Sequence, residues 1–348
     1  MWWIIVFAVL LIIVWLFAMK LFPHTVTWKE GVLILCVQSA VIGAIVFGSL
    51  YGQGSDTQIV NGEVTGKERD VVSCEHSYSC NCITTCNGKG ACTTICQTCY
   101  EHSFDVDWVV NSNVGSLLID RIDRQGLKEP KRWSDVKIGE PFSAERNYYN
   151  YIKASPFSIF NKSQIEDKTA IPSYLRVHDY YRVQRVINYN AAYKNDGLLN
   201  DLLNESLKKL GPQKKVNIVV VLHSKGAMFS EALRAKQLGG KINDVFVVID
   251  INKEGVFNGV SVFSWSKTDQ VNVMVRDSLL DIGRYDAIAM NSAISDNIAR
   301  YYQHRSIEEF KYLEDDVQIP KYAVWLLMVF GLLFPFVGAY IAHKHEIA

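Results

Sequence analysis

A chain of 348 residues, 49% of them apolar, is long enough for one or two domains with cores of their own. Its 36 basic and 36 acidic side chains cancel, which argues against a nucleic-acid partner, since that calls for a basic surface. The apolar residues are unevenly spread: both ends of the chain are almost wholly apolar, and the middle reads as soluble protein.

Residues 2–19 (WWIIVFAVLLIIVWLFAM) and 31–50 (GVLILCVQSAVIGAIVFGSL) carry no charge, and each approaches the roughly 20 apolar residues that cross a bilayer core as a helix. Residues 322–342 (YAVWLLMVFGLLFPFVGAYIA) form a third run, in which Pro335 predicts a kink. A cleaved signal peptide would need a basic leader and a small-residue cleavage site. The first run instead begins Met-Trp-Trp with no early Lys or Arg. Three transmembrane helices are therefore expected, two N-terminal and one C-terminal. Lys20 and Lys29 in the first connection and Lys344 in the tail put those segments in the cytoplasm by the positive-inside rule. Residues 51–320 are then extracytoplasmic, which in a bacterial inner membrane means periplasmic. In the second run Ala40, Ala44 and Gly48 recur at four-residue spacing, a stripe of the kind that lets membrane helices approach closely.

Residues 74–99 (CEHSYSCNCITTCNGKGACTTICQTC) hold Cys74, Cys80, Cys82, Cys86, Cys92, Cys96 and Cys99, while Cys36 stands alone in the second apolar run. An extracytoplasmic position favours disulfides, which persist in oxidising compartments. So polar a segment cannot bury a core, and covalent staples offset the entropy of ordering it. Seven is odd, so one thiol is left over, and the pairing of the others stays open. The alternative is a zinc site drawn from Cys80, Cys82, Cys96, Cys99, His76 and His102, although only Cys96 and Cys99 show the usual short ligand spacing. A catalytic dithiol is the remaining reading.

From 105 to 195 the chain is rich in Tyr and Asn. The stretches "FDVDWVV", "SLLID" and "YLRVHDYYRVQRVINY" carry the alternation or β-branched runs of strands. The paired Asp105 and Asp107, and Asp120 and Asp123, read as solvated strand-face and turn residues. From 196 to 310 helix and strand alternate. "LLNDLLNESLKKL" has leucines at helical spacing and is expected to stop at Gly211-Pro212. "VNIVVVL" and "DVFVVIDI" are apolar runs typical of strands buried on both faces, with a helix near 228–237 between them. "GVSVFSW" pairs next, and helices near 270–282 and 286–303 follow. Strand, helix, strand implies a right-handed crossover and a partly parallel sheet covered by helices.

Over about residues 197–302 this unit resembles the TPM domain family of membrane-anchored bacterial envelope proteins and thylakoid-lumen proteins. The likeness rests on the Leu-rich helix, on "VNIVVVL", on the helix "FSEALRAKQ" and on "LGGKINDVFVVIDI", which looks like that family's Leu-Gly turn, acidic residue and apolar strand. Where the family has an Arg and a Gly-rich turn after the second strand, this chain reads "VFSWSKTDQVN". The resemblance implies a three-layer α/β fold. It also implies, from members with phosphatase activity or metal binding at acidic loop residues, a possible catalytic role that falls by position on Asp244, Asp281 and Asp286.

No nucleophile elbow, phosphate loop, H-E-x-x-H or dinucleotide fingerprint is present in the sequence. "LHSKG" follows a strand, but His223 and Ser224 are adjacent in sequence, and neighbours rarely face each other productively. His178 and His304 stand outside any motif. The expected divisions are 1–50, 51–104, 105–195, 196–310 and 311–348. The leading expectation is a non-enzymatic multi-pass membrane protein, of a texture that suits a phage or mobile element. It would display a disulfide-stapled α/β region, need no cofactor, and bind another membrane or envelope protein or itself. The alternatives are a TPM-like metal-dependent phosphohydrolase and a cytosol-facing zinc module, which require zinc or another divalent metal. Asn161 and Asn204 are glycosylation acceptors only in a eukaryotic secretory host.

Overall fold

The structure, a computed structural model, describes residues 2–21, 27–86, 92–157, 171, 173–189 and 197–345, with the backbone alone for 2–11 and 345. The chain forms two compact units, one of Met1–Asp56, Tyr148–Lys162 and Ile307–Ala348, the other of Thr57–Asn147 and Ser163–Ser306. Asn161 and the Gly88-Lys89-Gly90 tip lie outside the described residues.

The first unit is helical. It contains α1 (Trp2–Leu21), α2 (Trp28–Gly54), the short α4 (Tyr151–Ala154), a 3-10 helix (Ile307–Asp316) and α9 (Lys321–His345). Among the described residues, two helices, α2 and α9, are long and apolar enough to cross a membrane. A capping box starts α2, with the Glu30 amide donating to Thr27 Oγ1 and the Thr27 amide to the Glu30 carboxylate. The helices pack through a stripe at three- and four-residue spacing on α2. Gly31 accepts a 2.8 Å hydrogen bond from Trp15 Nε1, Ile34 lies against Gly338, and the buried Gln38 donates to the Gly331 carbonyl at 3.1 Å. A Cβ on Gly338 would sit 3.1 Å from Ile34 side-chain carbons, so glycine sets that approach. Ala40, Ala44 and Gly48, the stripe expected to pack, are exposed. Gln38 occupies the inner face, where its buried amide finds a carbonyl partner. The α9 helix runs on through Pro335.

The second unit holds two four-stranded sheets and a hairpin. The first sheet has the order β5-β4-β1-β6, from β1 (Ser55–Val72), β4 (Asp105–Ser112), β5 (Gly115–Ile119) and β6 (Pro141–Tyr149). Alternation along β4 sends Val106, Trp108 and Val110 inward, where they meet Val64, Ile119 and Phe142. Trp133, in the short α3 (Lys131–Ser134), donates to the Val109 carbonyl at 2.9 Å and packs edge-on against Trp108. Because β1 pairs with β4, this sheet crosses the division expected at 104–105. The Cys-rich segment is an excursion from it.

The second sheet has the order β10-β9-β8-β7. In it β7 (Val186–Asn188), β8 (Asn217–His223) and β9 (Asp244–Ile251) run parallel, and β10 (Phe257–Ser264) is antiparallel to β9. The continuous apolar runs are explained by burial on both faces. Ile218, Val220 and Leu222 of β8, with Val245, Val247 and Ile249 of β9, pack under α5 (Gly197–Lys214), α7 (Gln270–Ile282) and α8 (Ala287–Tyr301). The alternate residues Val219, Val221, Phe246 and Val248 pack against Phe229 and Leu233 of α6 (Ala227–Lys236).

Two local expectations fail. Of the stretch 174–189 only Val186–Asn188 is strand. Asp179 and Tyr180 adopt positive φ values of 45° and 72° and break the extended run, while Leu175 and Val183 still cover the sheet from a loop. Helix α5 continues past Gly211-Pro212 to Lys214. Gly211 is there for another reason: a Cβ would lie 2.3 Å from the Asn61 carbonyl oxygen.

Candidate functional site

Between β1 and β4 the chain forms an antiparallel hairpin of β2 (Ser77–Cys86) and β3 (Cys92–Tyr100). Disulfides join Cys80 to Cys99, Cys82 to Cys96 and Cys86 to Cys92. Nearly every residue of both strands is exposed, so the staples replace a core. Ile83 and Ile95 face each other across the ladder and are 70% and 71% exposed. With Cys80, Cys82, Cys96 and Cys99 bonded to one another, the thiolates that the alternative zinc set needs are consumed. Of that set, His76 and His102 remain at the hairpin base.

The leftover cysteine is Cys74, and it is not solitary. It lies just before β2, His102 lies just after β3, and Asp105 opens β4, so closing the hairpin brings the three together. Cys74 Sγ is 3.7 Å from His102 Nδ1, and Asp105 Oδ1 is 3.3 Å from the same nitrogen. Cys74 is 6% exposed and Asp105 fully buried. Asp105 is held from behind: Oδ2 accepts from the Glu75 amide at 3.0 Å and from Arg121 Nη1 at 3.1 Å. The Glu75 amide first, and then Arg121, hold this carboxyl below its ordinary pKa against the opposing effect of burial. Oδ1 is buried and turned toward Cys74 and His102, and has no other polar neighbour within hydrogen-bonding reach. Arg121 also pairs with Asp107 and Glu75. His76 is turned aside, with Nε2 3.0 Å from the Arg124 carbonyl oxygen.

This arrangement does not suit nucleophilic catalysis. A cysteine relay uses both ring nitrogens of the histidine, one for the thiol and one for the orienting carboxylate, whereas here both neighbours approach Nδ1. The three atoms converge on one point instead. Among the described residues, no other trio of His, Cys, Asp or Glu side chains brings its ligand atoms within 4.8 Å of one another.

Asp120 and Asp123 do belong to turns and strand faces, as expected. Asp123 accepts from four consecutive amides, Gln125 to Lys128, and Asp120 accepts from the Tyr180 hydroxyl. Asp105, expected to be solvated, is instead fully buried. The available signal was the placement of Cys74 and His102 just outside six cysteines that pair in nested fashion, with Asp105 three residues beyond the histidine.

The three acidic residues implied by family resemblance do not meet. Asp244 begins β9, while Asp281 and Asp286 flank the α7–α8 turn, which bonds to Gly255 and Phe257 beyond the other end of that strand. Eight residues of strand, about 25 Å at ~3.3 Å each, separate the two ends. Asp286 caps α8 through the Ile288 and Ala289 amides, and Asp281 is exposed. Asp244 is fully buried; it accepts from the Tyr174 hydroxyl, Asn217 Nδ2 and the Lys241 amide. Burial pushes its pKa up to about 6. It also lies at the N-terminal ends of the parallel strands, opposite the edge where open α/β sheets hold ligands. At that C-terminal edge stands His223, 1% exposed, its ring tilted against Phe229 and its Nδ1 accepting from the Lys225 amide at 3.1 Å. Burial lowers its pKa. His178 is exposed in a short bridge to Arg182.

No family model matches this chain, and no curated protein matches it significantly.

Proposed function

We propose that the chain is a multi-pass membrane protein that holds its disulfide-stapled α/β region outside the cytoplasm and uses it to bind another membrane or envelope protein. The observation that carries this reading is the hairpin: three disulfides maintain a ribbon that buries nothing of its own and presents Ile83 and Ile95 to solvent. Disulfides of this density belong to oxidising compartments. Helices α2 and α9 supply two spans, and α1, twenty residues long and apolar but for Lys20, supplies a third. With Lys20, Lys29 and Lys344 on the cytoplasmic side, the hairpin and both sheets fall on the other, in the periplasm of a bacterial host. The TPM-like relationship is retained as a reading of the second sheet and its helices. Phosphohydrolase activity has less support, because Asp244 is sequestered and distant from Asp281 and Asp286.

The test is a membrane-impermeant maleimide applied to intact spheroplasts before and after treatment with an impermeant reductant, with adducts located by mass spectrometry. Labelling of Cys80 to Cys99 only after reduction supports the topology. Labelling only after lysis, without reductant, reverses it.

A further inference from the structure

The sulfur, nitrogen and oxygen at the hairpin neck have the spacing of metal ligands. Zinc binds at about 2.3 Å to thiolate sulfur and about 2.0–2.1 Å to imidazole nitrogen or carboxylate oxygen. At tetrahedral angles those lengths give edges of about 3.6 Å from S to N and about 3.3 Å from N to O. The observed separations are 3.7 Å for Cys74 Sγ to His102 Nδ1 and 3.3 Å for His102 Nδ1 to Asp105 Oδ1.

Two further observations point to a cation at this place. Asp105 Oδ1 is buried and faces only His102 and Cys74, the two side chains that would share the ion with it, while Oδ2 receives both the Glu75 amide and Arg121. A carboxylate anchored through one oxygen with the other turned to the ligand set is how outer-shell groups prepare a ligand. The charge also balances in favour of a cation, since Asp105, Asp107 and Glu75 outnumber Arg121, and Arg124, the other guanidinium near the site, is paired with Glu101.

We propose that Cys74 Sγ, His102 Nδ1 and Asp105 Oδ1 bind one zinc ion, which clamps the neck of the disulfide hairpin to the first residue of β4. The fourth position is left to solvent or an exogenous ligand, and the thiol proton is released on binding. Arg121 and the Glu75 amide position Asp105. The site also accounts for a reduced cysteine beside three disulfides. A free thiolate there would attack them and scramble the pairing, and coordination removes that reactivity. The inference concerns the neck alone and holds whatever the hairpin binds.

The test uses the full-length protein in detergent, stripped with a chelator and titrated with Co²⁺ and then Zn²⁺. The expected result is one Co²⁺ per chain with a sulfur-to-cobalt charge-transfer band, displaced by Zn²⁺, lost in Cys74→Ser and retained in Cys36→Ser. Arg121→Gln is expected to weaken the metal by about ten- to a hundredfold. Because Cys74 is buried, a reading that needs no variant is added. In the unaltered protein, Zn²⁺ is expected to slow alkylation of Cys74 by about tenfold or more, since it occupies the attacking lone pair, and chelator restores the rate. Absence of the band in the unaltered protein, its persistence in Cys74→Ser, or alkylation of Cys74 indifferent to Zn²⁺ each overturns the proposal.

Discussion

Arg185 and Asp244 are both buried and do not touch, because Asn217 stands between them. Its Nδ2 donates to Asp244 Oδ1 at 2.8 Å while its Oδ1 accepts from Arg185 Nη1 at 2.6 Å. The remaining guanidinium donors reach Asn204 Oδ1, Asn61 Oδ1 and Ser143 Oγ. One side chain thereby ties β1 and β6 of the first sheet to α5 and β8 of the second. Buried charge is tolerated when its hydrogen bonds are complete, and here each end is dressed by neutral amides and hydroxyls.

Arg185→Met should therefore destabilise the second unit by about 3–5 kcal/mol, because it removes the buried charge opposite Asp244, leaves Asn204 Oδ1 without a donor, and leaves Asn61 Oδ1 and Asn217 Oδ1 with one donor each, Ser143 Oγ and Asn61 Nδ2. Chemical denaturation monitored by tryptophan fluorescence measures this. A loss under about 1 kcal/mol would mean that the network is dispensable.

Asp244 also predicts a pH dependence. Its pKa is raised from 3.8 to about 6, so the folded state holds this proton more tightly than the unfolded state does. The associated stability is fully present below about pH 4 and is lost as pH rises through about 6, a change of about 3 kcal/mol at ~1.4 kcal/mol per pH unit. Asp244→Asn removes the titration but places an NH₂ against the donors of Tyr174, Asn217 or Lys241. The variant should be less stable than the parent at both pH values, and the gap should narrow between pH 4 and 6. Unfolding midpoints of the pair across that range decide it, and a gap that is constant or widens with pH contradicts the assignment.

Breaking Cys80–Cys99 with paired serines should loosen the hairpin by about 2 kcal/mol, the chain-entropy value for the short ring of residues 80–82 and 96–99 that this bridge closes while Cys82–Cys96 stays intact. The cost stays local, since Ser77–Cys86 and Cys92–Tyr100 bury no core. Hydrogen exchange is expected to quicken in these two strands, with no change at Asn217–His223 or Asp244–Ile251.

Ile83→Ser with Ile95→Ser should leave folding stability within about 0.5 kcal/mol of the parent, as for other exposed positions. Cross-linking from the hairpin to its envelope partner, read by mass spectrometry in membranes, should fall sharply. Unchanged cross-linking would remove the isoleucine pair from the interface.

Short-range pattern was enough for much of the architecture. Periodicity located α5, α7 and α8 and the strands β4, β8 and β9, because each repeat depends on which face a local element buries. Length and lack of charge likewise marked α2 and α9. The tertiary structure decided what depends on partners distant in sequence. Asp105 and Asp107 sit on the same face of one strand, two residues apart, and no local pattern separates them. Closure of the hairpin brings Cys74 and His102 onto the first, while the second meets only the Arg121 that both share. The disulfide pairing follows from the β2–β3 register, and the inner stripe of α2 from where Gln38 finds a carbonyl on α9. Such choices are made by packing and by the cost of leaving a buried polar group without a partner, and neither is visible until the chain is folded.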